Sequence, residues 1–159
     1  MSVITSGGTQ HTFSIAHWIK VNNSNAPQMV TVIDAGSDAS TLYRWENQGT
    51  TSEVEFGLRN NVSAFSETTG IQITEGDWLH IVFTYDDANQ KVYINNQLVN
   101  TTAYTASDPV ANTGQRFQWN GRFGAVASIN NADIHLYNIR YYNRALTGSE
   151  ITTLYTNVD

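Results

Sequence analysis

The longest unbroken run of strand-favouring residues is Trp78 to Tyr85 (WLHIVFTY), which is apolar at both alternate sets of positions. A strand that is apolar on both faces belongs at the centre of a sheet. Asp86, Asp87, Ala88 and Asn89 end the run with small polar residues suited to a turn, so the chain reverses into Lys91 to Asn95. The Asn95-Asn96 pair reverses it again, because asparagine is the non-glycine residue that best accepts positive φ. Trp78 to Val99 therefore predicts three strands joined by two tight turns. On either side the period stays close to two. Phe13, Ile15, Ile19 and Val21 alternate with Ser14, Ala16, Trp18 and Lys20, giving one strongly apolar face and one mixed face. Met29 to Ile33 and Leu42 to Glu46 predict further strands, the latter with Tyr43 and Trp45 on one face and Arg44 and Glu46 on the other. In Glu53 to Arg59, Val54, Phe56 and Leu58 point inward while Glu53, Glu55 and Arg59 point outward. Residues 101 to 115 read as a polar excursion, after which Arg116 to Gly124 and Ala132 to Tyr142 resume the sheet.

Only the C-terminal stretch changes period. Thr147 and Glu150 have the T-x-x-E spacing of a capping box, Leu146 and Ile151 that of a hydrophobic staple, and Ile151, Leu154 and Tyr155 share one helical face. One short helix is predicted, packed near the edge of the sheets.

Composition narrows the classes of function. A chain of 159 residues is long enough for a single domain with its own core, and residues 1–159 are expected to form one. The absence of cysteine excludes disulfides and thiolate metal sites. A net charge of −6, with Lys20 and Lys91 the only lysines, argues against a nucleic-acid partner held by basic contacts. No apolar run approaches the ~18 residues that membrane insertion requires, and MSVITSGGTQ has neither the basic start nor the apolar core of a signal peptide.

Three pieces in order carry a resemblance. They are FSIAHWIK (Phe13 to Lys20), W-x-H-x-V-x-T-Y-D followed by V-Y-I-N-N-Q-L-V (Trp78 to Val99), and RYYNRALTGSEI (Arg140 to Ile151). Together they resemble laminin G-like domains of the concanavalin A-like lectin/glucanase group. The resemblance implies an all-β fold, a two-sheet antiparallel β-sandwich of jelly-roll topology with one short C-terminal helix. It also implies that Trp18 and Trp78 are buried framework residues and that the His80 slot is structural. Relatives that are glucanases carry an E-x-D-x-E-like strand. The nearest match here is Glu53-Val54-Glu55-Phe56-Gly57, with glycine where the second essential acid should stand. His11, His17 and His135 show no H-x-H or H-x-x-x-H pairing for zinc.

Two kinds of binding site fit the remaining residues. Carbohydrate recognition needs aromatic faces beside planar amides or cations. Tyr43, Arg44 and Trp45 supply one such cluster, and Trp119, Asn120 and Arg122 a second. Calcium favours oxygen ligands in loops. Asp34 and Asp38 are candidate ligands, as are Asp86, Asp87 and Asn89, with turn capping the simpler account of each set. The departure from family pattern at Tyr137 and Asn138, where relatives carry two acids, weakens an inherited metal site. The sequence thus reads as a non-catalytic, lectin-like module binding a glycan or polysaccharide, extracellular or virion-associated. A structural or adhesion module of a phage or viral assembly, compatible with a homo-oligomer, is the second reading. A glycan hydrolase with an atypical site is the third.

Overall fold

The computed structural model describes residues 12–22, 28–33, 43–47, 53–57, 67–72, 74–103 and 133–158, with side chains over 12–22, 71, 74–103 and 133–158. Among these residues the chain forms the strands β1 (Phe13–Val21), β2 (Gln28–Ile33), β3 (Tyr43–Asn47), β4 (Glu53–Gly57), β5 (Glu67–Gln72), β6 (Trp78–Tyr85), β7 (Asn89–Ile94), β8 (Gln97–Ala103) and β9 (Ile134–Tyr142), then the helix α1 (Gly148–Thr156). One sheet has the order β8-β7-β6-β1-β9 and the other the order β2-β3-β4-β5. Two antiparallel sheets are what the family resemblance implies, and the short C-terminal helix is what the change of period predicts. The strand expected over Arg116 to Gly124 lies outside the described residues.

In the five-stranded sheet β6 lies between β7 and β1, the central place that its two apolar faces require. Its register with β1 runs from Phe13↔Tyr85 to Lys20↔Trp78. Partners across a ladder share a face. Phe13, Ile15, His17 and Ile19 thus stand beside Tyr85, Phe83, Ile81 and Leu79, and all of these are buried. Phe13 packs against Phe83 with ring centroids 5.7 Å apart. The opposite face carries Ser14, Ala16, Trp18 and Lys20 beside Thr84, Val82, His80 and Trp78.

Both predicted turns form. Asp86 donates its N–H to the Asn89 carbonyl at 3.1 Å, and Asp87 takes a φ of 72°. Asn95 and Asn96 sit at φ of 49° and 66° between the paired Ile94 and Gln97. Positive φ at both central residues is what a two-residue hairpin demands.

The helix begins where the sequence places it. Thr147 is the N-cap, its hydroxyl accepts from the Glu150 N–H at 3.4 Å, and Glu150 accepts from the Thr147 N–H at 2.9 Å. The Arg144 guanidinium forks onto the same carboxylate, and these donors, Arg144 first, push the Glu150 carboxyl down to about 2. Its seat differs from the expectation. Leu146 and Ile151 form one buried cluster with Ala16 and Val82, flanked by Tyr93, Tyr142 and Leu154. Because Ala16 and Val82 are partners on β1 and β6, α1 covers the middle of the five-stranded sheet rather than its edge. Ala16 supplies the reason, since its small side chain leaves room for a helix to approach. Ser14 is buried beside it for a second purpose: its hydroxyl donates to the Arg144 carbonyl and accepts from the Leu146 N–H, each at 2.9 Å, tying the lead-in of the helix to β1. Replacing Thr147 with alanine removes the cap and is expected to lower stability by about 1 kcal/mol in denaturant titration.

Candidate functional site

Beyond the seat of the helix, the same sheet face becomes a file of aromatic rings. Trp18 stacks on Tyr155 of α1 at 5.6 Å with planes 16° apart, and the His80 ring lies 4.9 Å from Trp18 and 5.7 Å from Tyr155. His80 is 2% exposed. Its main chain is held by Asn95, which donates its N–H to the His80 carbonyl at 2.8 Å and accepts the His80 N–H on its side-chain oxygen at 3.0 Å. The ring Nδ1 has no hydrogen-bond partner among the described residues. Burial, and then the positive charge of Arg140, lower its pKa to about 4, so the ring is neutral at pH 7. The burial and ring packing of His80 match the packed position that the resemblance implies for this slot. His17, on the opposite face and 1% exposed, is lowered to about 3 by burial and then by the charge of His80.

One ladder pair further on, the cover ends. Trp78, first residue of β6, is 43% exposed, which corrects the expectation of a buried framework tryptophan. Tyr155 lies on the last full turn of α1 and reaches Trp18 and His80, leaving the next pair, Lys20 and Trp78, beyond the helix. Trp78 instead meets two rings of β9. His135 lies 6.5 Å away, and Tyr137, itself 43% exposed, meets it edge-on at 6.5 Å and 71°.

Asn138 explains how Tyr137 comes to this face. In an unbroken strand residues 137 and 141 would point the same way. Yet Tyr141 stacks on Phe13 at 6.3 Å, on the far face, while Tyr142 joins the cluster under the helix. Asn138, at a φ of 53°, interrupts the alternation. Arg140 donates its Nε–H to the Asn138 side-chain oxygen at 2.8 Å and pins that conformation. Sequence reasoning missed this platform. The H-x-Y spacing of His135 and Tyr137 signals one shared face, but nothing local says that β9 pairs beside β1.

The other sequence-predicted sites fare differently. Tyr43, Arg44 and Trp45 lie consecutively on β3, an interior strand of the four-stranded sheet, in register Val30↔Trp45↔Phe56 and Thr31↔Arg44↔Gly57. Trp45 is thus in line with two apolar residues, and Arg44 belongs to the neighbouring row. Glu55 stands opposite Glu46, and the pairing with β5 shifts register between Glu53 and Glu55. Trp119, Asn120, Arg122, Asp34 and Asp38 lie outside the described residues. Asp86 is a turn cap: one oxygen accepts from the Ala88 and Asn89 N–H groups at 3.1 and 2.6 Å, and the other accepts from Lys91 Nζ at 3.1 Å. Among the described residues no three histidine or carboxylate side chains are grouped to hold a metal ion, and no helix is long and apolar enough to cross a membrane.

No curated protein matches the sequence. Solved structures do match, at identities that speak to fold alone. A heptameric SAP-like pentraxin from Limulus polyphemus aligns at 16% identity and a TM-score of 0.62, over 91% of this chain and 69% of the pentraxin chain. Botulinum neurotoxin type C, whose cell entry depends on two ganglioside molecules, aligns at 21% and 0.63 over 91% of this chain. A Trypanosoma rangeli sialidase in complex with a difluoro-KDN aligns at 18% and 0.67, again over 91%. This chain spans only 35% of the toxin chain and 22% of the sialidase chain. The profile of the concanavalin A-like lectin/glucanases superfamily matches residues 3–152. With its two antiparallel sheets, its closing helix and a family match over nearly its whole length, the chain belongs to the concanavalin A-like lectin/glucanase superfamily, of laminin G type.

Proposed function

We propose that this chain is a non-catalytic, lectin-like module that binds carbohydrate outside the cell or on a virus particle. The observation that carries the reading is the exposed platform of Trp78, Tyr137 and His135, with two large rings nearly half open to solvent on a rigid sheet. Pyranose rings present a C–H face that packs on such rings, and their hydroxyls need polar groups at the rim. The superfamily contains lectins and glucanases, and among the structural neighbours botulinum neurotoxin type C interacts with two ganglioside molecules and the Trypanosoma rangeli sialidase forms a complex with 2,3-difluorosialic acid. Binding is favoured over hydrolysis because Gly57 follows Glu53 and Glu55 where a glucanase strand continues with an acid. Tyr43, Arg44 and Trp45, and Trp119, Asn120 and Arg122, stay in the proposal as secondary sugar contacts, with Asp34 and Asp38 as calcium ligands.

The test is a glycan array run with and without chelator on the wild-type chain and on Trp78→Ala. Binding that falls by more than about tenfold in Trp78→Ala is expected, and chelator sensitivity would bring in Asp34 and Asp38. A blank array, together with a stable oligomer in which Trp78 is shielded from fluorescence quenchers, would overturn the lectin reading in favour of an assembly module.

A further inference from the structure

Trp18, His80 and Tyr155 are in mutual ring contact, yet they are held very unequally. Trp18 stands on β1 and His80 on β6, both interior strands of the five-stranded sheet. Asn95 holds both the N–H and the carbonyl of His80, so the main chain under the imidazole is fixed. Tyr155 sits instead on a helix whose grip fades along its length. The capping box, the Arg144–Glu150 pair, the buried Ile151 and the Thr152 hydroxyl on Asn96 all come before it. From Thr153 on, the threonine hydroxyls bond back within the helix, Thr153 to the Ser149 carbonyl and Thr156 to the Thr152 carbonyl, each at 3.0 Å. Asn157 closes the helix at a φ of −102°, outside the left-handed region of the usual glycine cap, and residues 156–158 are exposed. Leu154 and Tyr155, both partly buried, fasten this last turn to the sheet. Of the three rings, Tyr155 is the one that can move.

The ring beneath that cover can take a proton. Around it, β9 brings Arg140 and Tyr142, β7 brings Tyr93, and β1 brings His17 on the far face and Lys20 one ladder pair further on. The helix brings Tyr155 and, in its first turn, Glu150, whose carboxylate is already engaged by Arg144 and Thr147. Ring faces attract a cation, but a charge kept from water loses more in hydration than they return. Burial, and then the positive charge of Arg140, therefore hold the His80 pKa near 4 while the cover is closed. We propose that the last turn of α1 is an acid-released cover: protonation of His80 drives Tyr155 off Trp18, and both Trp18 and His80 open to solvent beside Trp78. Fraying this turn leaves the cap and Ile151 in place, so it costs far less than unfolding. The sign follows from the two protonation limits. An open His80 takes its proton near 6.5 and a covered one near 4, so acid favours the open form by up to about tenfold per pH unit between those values. In acid the exposed ring file grows by one ladder pair and gains a second tryptophan. This release does not depend on what the platform binds.

Amide hydrogen exchange at Leu154, Tyr155 and Thr156 tests it, followed by NMR in low urea and divided by the unfolded-chain rate at each pH. From pH 6.5 to pH 4.5 opening of these amides should rise by up to about tenfold per unit and stay insensitive to urea, the mark of a local route. His80→Phe packs but does not titrate, so it should make the opening level with pH. His17→Phe, on the far face of the sheet, should leave the rise intact. Should His80→Phe not fold, the imidazole resonances of His80 supply a second reading. Tyr155→Ala removes the cover, and the His80 titration midpoint should then move from about 4 toward 6.5. Opening that stays level with pH in the wild-type chain, that follows urea, or that rises equally in His80→Phe would overturn the proposal, as would a His80 midpoint unmoved by Tyr155→Ala. No ligand enters these measurements, so the carbohydrate reading stands or falls apart from them.

Discussion

Taking the protein from pH 7 to pH 4.5 is expected to cost about 5 kcal/mol of stability, close to half of it from each of His17 and His80. Both rings are buried, and burial is the first cause of their lowered pKa values, about 3 for His17 and about 4 for His80. The unfolded chain binds a proton on each near pH 6.5, whereas the folded chain refuses it until well below pH 5. Between those limits the unfolded state holds more protons, so stability is fully present above pH 6.5 and falls with pH at up to about 1.4 kcal/mol per unit for each histidine. The loss levels off only below the folded values. Against the ~5 to 15 kcal/mol typical of a domain, about 5 is from a third of the total to all of it, so the midpoint of urea unfolding should fall steeply. Glu150 acts in a separate and lower window, because its contribution is present above pH 4.5 and is lost as pH falls toward about 2. Urea titrations at half-unit steps from pH 7 to pH 4.5 therefore isolate the histidines. His17→Phe should remove roughly half of the slope, and a stability that stays level across this range would show that neither ring is kept neutral by the fold.

How much of this could be read without coordinates depended on how local each feature is. The β6–β7–β8 meander follows from a two-faced apolar run and from asparagines that accept positive φ, so Trp78–Tyr85 and the Asn95-Asn96 turn were readable to the residue. The helix was equally plain, since a capping box and a staple lie within five residues of one another. Its seat was not, because Ala16 and Val82 meet Ile151 only once β1 pairs with β6, a contact that no spacing in the sequence encodes. Trp78 was misplaced for a related reason. Its strand is central, which implies burial, but a strand end is covered only as far as the overlying helix extends, and α1 stops one ladder pair short. His135 and Tyr137 acquire meaning only from the strand order β6-β1-β9 and from the break in alternation at Asn138. The site is thus a product of topology, while the strands that build it are products of local chemistry.

Replacing Ile151 with alanine is expected to lower stability by about 3 kcal/mol, several times the effect of losing the Thr147 cap. Ile151 is fully buried between Ala16, Val82 and Leu146, and the methyl of Ala16 is too small to move into the space that a lost side chain leaves. The helix has nine residues, too few to persist in water on its own, so its stability is the stability of this contact. Beside the Tyr155 stack on Trp18, its polar anchors among the described residues are the Ser14 bonds at its lead-in and the Thr152 hydroxyl that donates to the Asn96 side-chain oxygen at 2.9 Å, and these hold position more than they stabilise. Loosening the helix should also free Tyr155 from Trp18, so near-ultraviolet circular dichroism from that stack should weaken at denaturant concentrations where far-ultraviolet signal from the sheet persists. Exposed Trp78, whose ring contacts are with His135 and Tyr137 of β9, serves as the internal control: the exposed, quencher-accessible part of the tryptophan emission should stay unchanged until global unfolding. A loss under about 1 kcal/mol, with the near-ultraviolet signal intact, would mean that the sheet does not depend on the helix for its cover and that the open ring file extends further than Trp78.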